Sequence, residues 1–259
     1  MNATHSATEH RAHTLPELPE RIRVRAVIQC AMDMEAEPVL SALDPQSPQK
    51  TLVIGNDDAH QQIFTLGTLE GHSVLVVTSG IGLANSAAAT ARALTLVQPD
   101  IVIAAGTTGG LHKDIRVGDI AVGVRTVYSC ADATVFGYER GQIPRMPADY
   151  RSSERAQEAL NTLSDHIEYQ VMVGDIVSSD SFMNGDIVDI VRADFPNAMA
   201  SDMETTAMAQ VAWSCGSDWV SLRAVSDLCG PSAGDDFRMD GQKAAQHSAE
   251  AVRAYLSLY

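Results

Sequence analysis

From Val24 onward the apolar residues fall into short blocks whose spacing switches between two periods. Val24-Arg25-Ala26-Val27-Ile28-Gln29-Cys30 reads as a first strand, with Val24, Ala26 and Ile28 on one face and Val27 on the other. Residues 31–43 follow with helical spacing through Met34, Val39, Leu40 and Leu43. Pro38 is tolerated only in a first turn, so this helix should start near Glu35 or later. Residues 51–55, 62–67 and 73–78 read as a meander of strands joined by Gly, Asn, Asp and His turn residues. An alanine-rich helix is expected over 85–97, closed by Pro99. The continuous apolar run 101–105 is a central strand, and 119–124 is another. Further helices are expected over 153–166, 187–195, 203–215 and 242–258, and further strands over 170–177 and 219–225. Residues 129–150 carry aromatics without periodicity, and an irregular stretch of that length in a compact domain is usually functional.

Strands and helices alternate, with hairpins interleaved, which gives the α/β class: one domain over 24–259, with a mixed central β-sheet flanked by helices. Residues 1–23 are expected to be a disordered leader. The chain is 45% hydrophobic but only 5% aromatic, which suits a sheet buried on both faces by aliphatic side chains. Its net charge of -15 would repel a phosphate backbone or an anionic membrane surface, so the expected partner is a small neutral or zwitterionic molecule. The four cysteines, Cys30, Cys130, Cys215 and Cys229, are widely spaced with no CxxC pair. They read as reduced, mostly core residues of a cytoplasmic protein.

In open α/β sheets ligands bind beyond the carboxyl ends of the strands. Four strand ends here carry unusual residues: Ala31-Met32-Asp33-Met34-Glu35, Ser79-Gly80-Ile81-Gly82, Gly106-Thr107-Thr108-Gly109-Gly110 and Ser226-Asp227. Glycine-rich turns let backbone amides approach a ligand closely, but neither glycine segment fits a dinucleotide fingerprint or a P-loop. The acids also have ordinary readings, Asp227 as a helix N-cap and Glu35 and Glu204 as first-turn acids favoured by the helix dipole. The eight histidines are scattered without HExxH spacing, and no GxSxG elbow is present. Neither a metal nor a cofactor is expected.

Gly106-Thr107-Thr108-Gly109-Gly110-Leu111, followed by Val117-Gly118-Asp119-Ile120, resembles the signature of the purine nucleoside phosphorylase superfamily. The stretch from Asp132 through Phe136-Gly137-Tyr138 to Pro144 resembles the substrate loop of 5′-methylthioadenosine/S-adenosylhomocysteine nucleosidases. So do Ala31-Met32-Asp33-Met34-Glu35, Asp202-Met203-Glu204-Thr205-Thr206-Ala207 and Arg223-Ala224-Val225-Ser226-Asp227. The likeness spans 24–258 and implies a nucleoside phosphorylase-like fold and hydrolysis of an N-glycosidic bond with release of adenine. It implies Asp227 as the acid that protonates the departing base and Glu35 as the base that activates water. It further implies Glu204 as acceptor of the ribose hydroxyls, Met203 beneath the ribose, Ser79 near the attacking water, Phe182 stacked on adenine, Met183 reading the base edge, and Ser226 positioning Asp227. A homodimer is implied too, with the 129–150 loop carrying Phe136, Tyr138 and Pro144 over the partner's ligand.

Phosphorolysis within the same superfamily, or hydrolysis of aminodeoxyfutalosine, are the alternatives. Phosphate would need free cationic groups. Arg25 lies inside a strand, and Arg223, the only basic residue near a strand end of the proposed site, reads as half of a buried ion pair. A site that has lost catalysis is disfavoured by the joint presence of Glu35, Glu204 and Asp227.

Overall fold

Alternation of buried aliphatic strands with amphipathic helices builds one continuous sheet. The computed structural model describes residues 20–56 and 60–259. In chain order the elements are β1 (Ile22–Cys30), α1 (Asp33–Ser41), β2 (Lys50–Gly55), β3 (Gln61–Leu69), β4 (His72–Thr78), α2 (Leu83–Leu96), β5 (Val97–Gly110) and β6 (Ile120–Tyr128). There follow β7 (Tyr150–Arg151), α3 (Glu154–Glu158), β8 (Val171–Ser178), α4 (Val188–Asp194), β9 (Ala198–Asp202), α5 (Thr205–Ser214), β10 (Asp218–Asp227) and α6 (Ala233–Leu258). Residues 1–19 of the expected leader lie outside the described residues, while Ile22 and Arg23 already belong to β1.

The sheet has two halves that share β5. On one side β5 pairs with β1 in parallel, β1 with β4 in parallel, and β3 and β2 complete the antiparallel meander. On the other side β5 pairs in parallel with β10, and the run β10-β6-β8-β9 returns to the last residues of β5, where Gly109 and Gly110 face Ser201 and Ala200. That half closes on itself, which removes free strand edges there. The expected α/β class with a mixed sheet holds.

Helices cover both faces. Ala26, Ile28 and Cys30 of β1 pack towards α1 and α6 with Val39, Val252 and Tyr255. Val27 packs on the other face with Ala89 and Ala93 of α2 and Met208 and Ala212 of α5. Val24, expected beside Ala26, joins this second cluster instead, next to Leu94 and Val97.

Five elements depart from the sequence pattern: α1 starts at Asp33, so that Pro38 lies past its first turn, and β7 was not expected. The helix expected over 153–166 is only α3 followed by a 3₁₀ turn over Leu163–Asp165. Ser153 caps α3 by accepting from Ala156 N, and the run then meets Asn161, Thr162 and Ser164, residue types of low helix propensity. α6 begins at Ala233 rather than near 242, its first turn strengthened by Asp235 and Asp236. β9 was not anticipated. Of the four cysteines, Cys30 and Cys229 are buried as expected, whereas Cys130 and Cys215 are exposed.

Candidate active site

The carboxyl ends of β1, β4, β5, β8, β9 and β10 converge on one cavity of about 150 Å³. Its wall includes Met32 and Glu35 after β1, Ile81 after β4, Thr107 to Gly109 of β5, Phe182 and Met183 after β8, Met203 and Glu204 after β9, and Ser226 and Asp227 at the end of β10. The three acids singled out from sequence are therefore in one place, all buried.

Glu35 sits in the first turn of α1, and its two oxygens meet only donors. Oε2 accepts from Ala31 N at 2.9 Å and Met32 N at 3.2 Å, while Oε1 accepts from Thr107 N and Thr107 Oγ1, both at 2.7 Å. The ordinary reading of a first-turn acid is half right, since Oε2 caps the turn. The other oxygen is drawn to β5, across the space left by Gly106.

Asp227 is aimed inward by a register shift in β10: Val225 faces Thr108, but Asp227 faces Gly109, leaving Ser226 as the extra residue. Such bulges re-aim side chains at active sites. Ser226 Oγ donates to Asp227 Oδ2 at 3.0 Å, and Cys229 N donates to Oδ1 at 2.9 Å. Burial raises the pKa of Asp227 and outweighs the opposing pull of those two donors. The shift favours the protonated carboxyl, the form that can donate a proton.

Glu204 is the N-cap residue of α5 and accepts from Gly82 N at 2.9 Å through Oε1. Arg223 lies behind it, fully buried, with Nε 3.0 Å from Asp202 Oδ2 and Nη2 3.2 Å from Glu204 Oε2. Its Nη1 donates to Thr107 O at 2.9 Å. The ion pair expected for Arg223 is present, with Asp202 as a partner that sequence reasoning did not single out. Burial, helped by the charges of Asp202 and Glu35, pushes the Glu204 pKa up to about 7 against the pull of Arg223. Burial opposes the Arg223 charge, but Asp202, Glu204 and Glu35 together outweigh it and hold the guanidinium charged.

Phe182 and Met183 line the cavity, and the Phe182 ring stands edge-on to Phe237, centroids 6.3 Å apart. Ser79 does not line it. Its hydroxyl is turned into the protein, donating to Cys30 O and Gly80 O. Thr107 stands beside Glu35, a contact that sequence reasoning did not single out. The signal for Thr107 was available, since it lies in the glycine segment after a central strand. Phe136 and Pro144 are exposed and Tyr138 is half-buried; none of the three lines the cavity of its own chain.

The model of the phosphorylase superfamily matches residues 25–257. A 5′-methylthioadenosine/S-adenosylhomocysteine nucleosidase from Geobacillus kaustophilus is 36% identical, covering 91% of this chain and 97% of its own. One from Anoxybacillus flavithermus is 42% identical over 73% of this chain and 83% of its own. Among solved structures, the nucleosidase of Neisseria meningitidis in complex with methylthio-immucillin-A has a TM-score of 0.82 at 31% identity, covering 89% of this chain and 97% of that one. That of Colwellia psychrerythraea in complex with adenine has a TM-score of 0.83 at 29% identity, covering 92% and 96%.

Proposed function

Because this chain belongs to the phosphorylase superfamily and, within it, to the 5′-methylthioadenosine/S-adenosylhomocysteine nucleosidases, we propose that it hydrolyses the N-glycosidic bond of one or both of those nucleosides. The products are adenine and the 5′-thio-substituted ribose. One observation carries the choice of water over phosphate. Among the described residues that line the cavity, Arg223 is the only cation, and it is already paired with Asp202 and Glu204. To bind phosphate it would have to leave a buried carboxylate unpaired, a cost of about 3–5 kcal/mol. Phosphorolysis is not favoured.

In this reading protonated Asp227 gives its proton to N7 of adenine as the bond from the ribose carbon to the base breaks. The bonding electrons leave with the base, and the ribosyl group takes on oxocarbenium character. Water then adds to that carbon and Glu35 takes the proton it loses. Solvent exchange returns a proton to Asp227 and removes one from Glu35. Glu204 accepts from the ribose hydroxyls above Met203, Phe182 stacks on the base, and Met183 reads its edge. Thr107 orients Glu35 and Ser226 orients Asp227. The two acids do opposite jobs: burial favours the protonated form of Asp227, and four donors fix the oxygens of Glu35 in place. Incubation with 5′-methylthioadenosine in phosphate-free buffer should release adenine and free methylthioribose. Adenine release that requires added phosphate, with the sugar recovered as its 1-phosphate, would overturn the hydrolytic reading.

The working assembly in this proposal is a homodimer. Val135 and Phe136 are 84% and 79% exposed, and a second copy of the chain would cover them while placing Phe136, Tyr138 and Pro144 over the neighbouring ligand. Sedimentation should give the mass of two chains, and Phe136→Ala should raise KM several-fold; a monomeric mass with full activity would refute this arrangement. Among the described residues no helix is long and apolar enough to cross a membrane. Four unpaired cysteines fit the reducing cytoplasm, where we place the enzyme.

A further inference from the structure

Glu204 is fixed by a helix other than its own. The first turn of α2 supplies Gly82 N to Glu204 Oε1 at 2.9 Å and Ser86 Oγ to the Glu204 main-chain oxygen, also at 2.9 Å. α2 starts without a side-chain cap and without an acid in its first turn. The leading amides of a helix need acceptors from somewhere. Glu204 is one, and Asp180 is another, its Oδ1 accepting from Leu83 N at 2.7 Å. The fit is close: a Cβ on Gly82, whose φ is +102°, would come within 3.0 Å of Asp180 Oδ1. Ser86 is fully buried and held in turn by Gln29 Nε2 at 2.8 Å, with Thr90 Oγ1 donating to Gln29 Oε1 at 2.9 Å. Neither Asp180 nor Ser86 lines the cavity.

We infer that Asp180 and Ser86 are positioning residues that act through the first turn of α2 to hold Glu204 ready for the ribose hydroxyls. The inference rests on the reading of Glu204 as the acceptor of those hydroxyls. Each Glu204 oxygen already has one protein partner, Gly82 N for Oε1 and Arg223 Nη2 for Oε2. That leaves each oxygen a free lone pair for one sugar hydroxyl. Loosening the α2 turn releases Oε1, and the carboxylate then turns both oxygens to Arg223, as a bidentate pair favours. Asp180 lies just ahead of Phe182 in the chain, so the same contact ties the base side of the cavity to the sugar side.

The test compares kcat/KM for 5′-methylthioadenosine with that for its 2′-deoxy counterpart. The wild type should favour the ribonucleoside. Ser86→Ala and Asp180→Ala should each reduce that preference roughly fivefold, the loss of about one hydrogen bond, mainly through KM for the ribonucleoside. Asp180→Asn keeps an oxygen for Leu83 N and should restore the preference. Asp180 is exposed and Ser86→Ala removes one hydroxyl, so both variants should fold. A preference unchanged in both alanine variants, with only the melting temperature lowered, would overturn the inference. Glu204→Ala is the control on its premise. If that variant keeps the wild-type preference, Glu204 does not read the hydroxyls. If it loses the preference while the other two keep it, the positioning role alone fails.

Discussion

Replacing Asp227 with asparagine should lower kcat for 5′-methylthioadenosine by roughly 10²- to 10⁴-fold while leaving the protein folded, since that is the usual contribution of a positioned proton donor. The amide matches the carboxyl in shape, and its oxygen can still accept from Cys229 N. It cannot hand a proton to the base. Asp227→Asn also removes a buried carboxyl whose ionisation the surroundings oppose, so the melting temperature should hold or rise at neutral pH. A variant that turns over near the wild-type rate would show that another group protonates the purine. A variant that unfolds would be answered by adenine binding measured on Asp227→Glu.

The same residue sets a pH dependence. Its folded-state pKa is raised, so the folded protein binds more protons than the unfolded chain between the ordinary carboxylate range and the raised value. Stability from this group is present in full below the unfolded pKa and is lost as pH rises through the folded one. Glu204 acts in the same direction, over the window from its ordinary 4.5 to about 7. The empty enzyme should therefore lose stability as pH rises above the ordinary carboxylate range, and Asp227→Asn should lose less. Activity should fall on the alkaline side as Asp227 gives up its proton.

The sheet's centre was legible because β1, β4, β5 and β10 carry short runs rich in Val, Ile, Leu and Ala, whose length and β-branching favour a strand covered on both faces. β9 was not, because Ala-Met-Ala-Ser-Asp is short and carries no β-branched residue; its pairing with β8 and β5 decides it, and pairing is not local. Glu35 and Asp227 could be placed because each stands at an expected strand end, and Glu204 because its segment resembles that of a known family. Thr107 was not visible as the partner of Glu35, with Ser79 offering the same chemistry. Both are hydroxyl residues in glycine turns after apolar strands, and nothing in either segment says which turn faces Glu35. Both turns lie beside the one that bears Glu35, since Gln29 pairs with Ala104 and Cys30 with Thr78, and side-chain direction decides it: Thr107 Oγ1 meets Glu35, while Ser79 Oγ meets main-chain oxygens. Asp202 was passed over for a related reason. Its partners are Arg223, Ser178 and Thr205, and Arg223 and Ser178 become neighbours only when β8, β9 and β10 meet.

Gly106→Ala should abolish activity by displacing Glu35 without touching it chemically. A Cβ at Gly106 would lie 2.4 Å from Glu35 Cδ, 2.5 Å from Oε1 and 2.8 Å from Oε2. The carboxylate cannot retreat without losing Thr107 N and Thr107 Oγ1, which hold Oε1 at 2.7 Å. Gly106 also has φ of +121°, where any other residue is strained. Two effects are thus combined, and a second glycine separates them. Gly71 has φ of +77° with nothing within 4 Å of an added Cβ, so Gly71→Ala carries the backbone cost alone. That variant should lose about 1–2 kcal/mol of stability and keep the wild-type kcat. Gly106→Ala should lose more stability than Gly71→Ala and, at a temperature where both are folded, at least about a hundredfold in kcat, the low end for losing a positioned general base. If folded Gly106→Ala retains wild-type kcat, Glu35 tolerates displacement and is not the group that activates water.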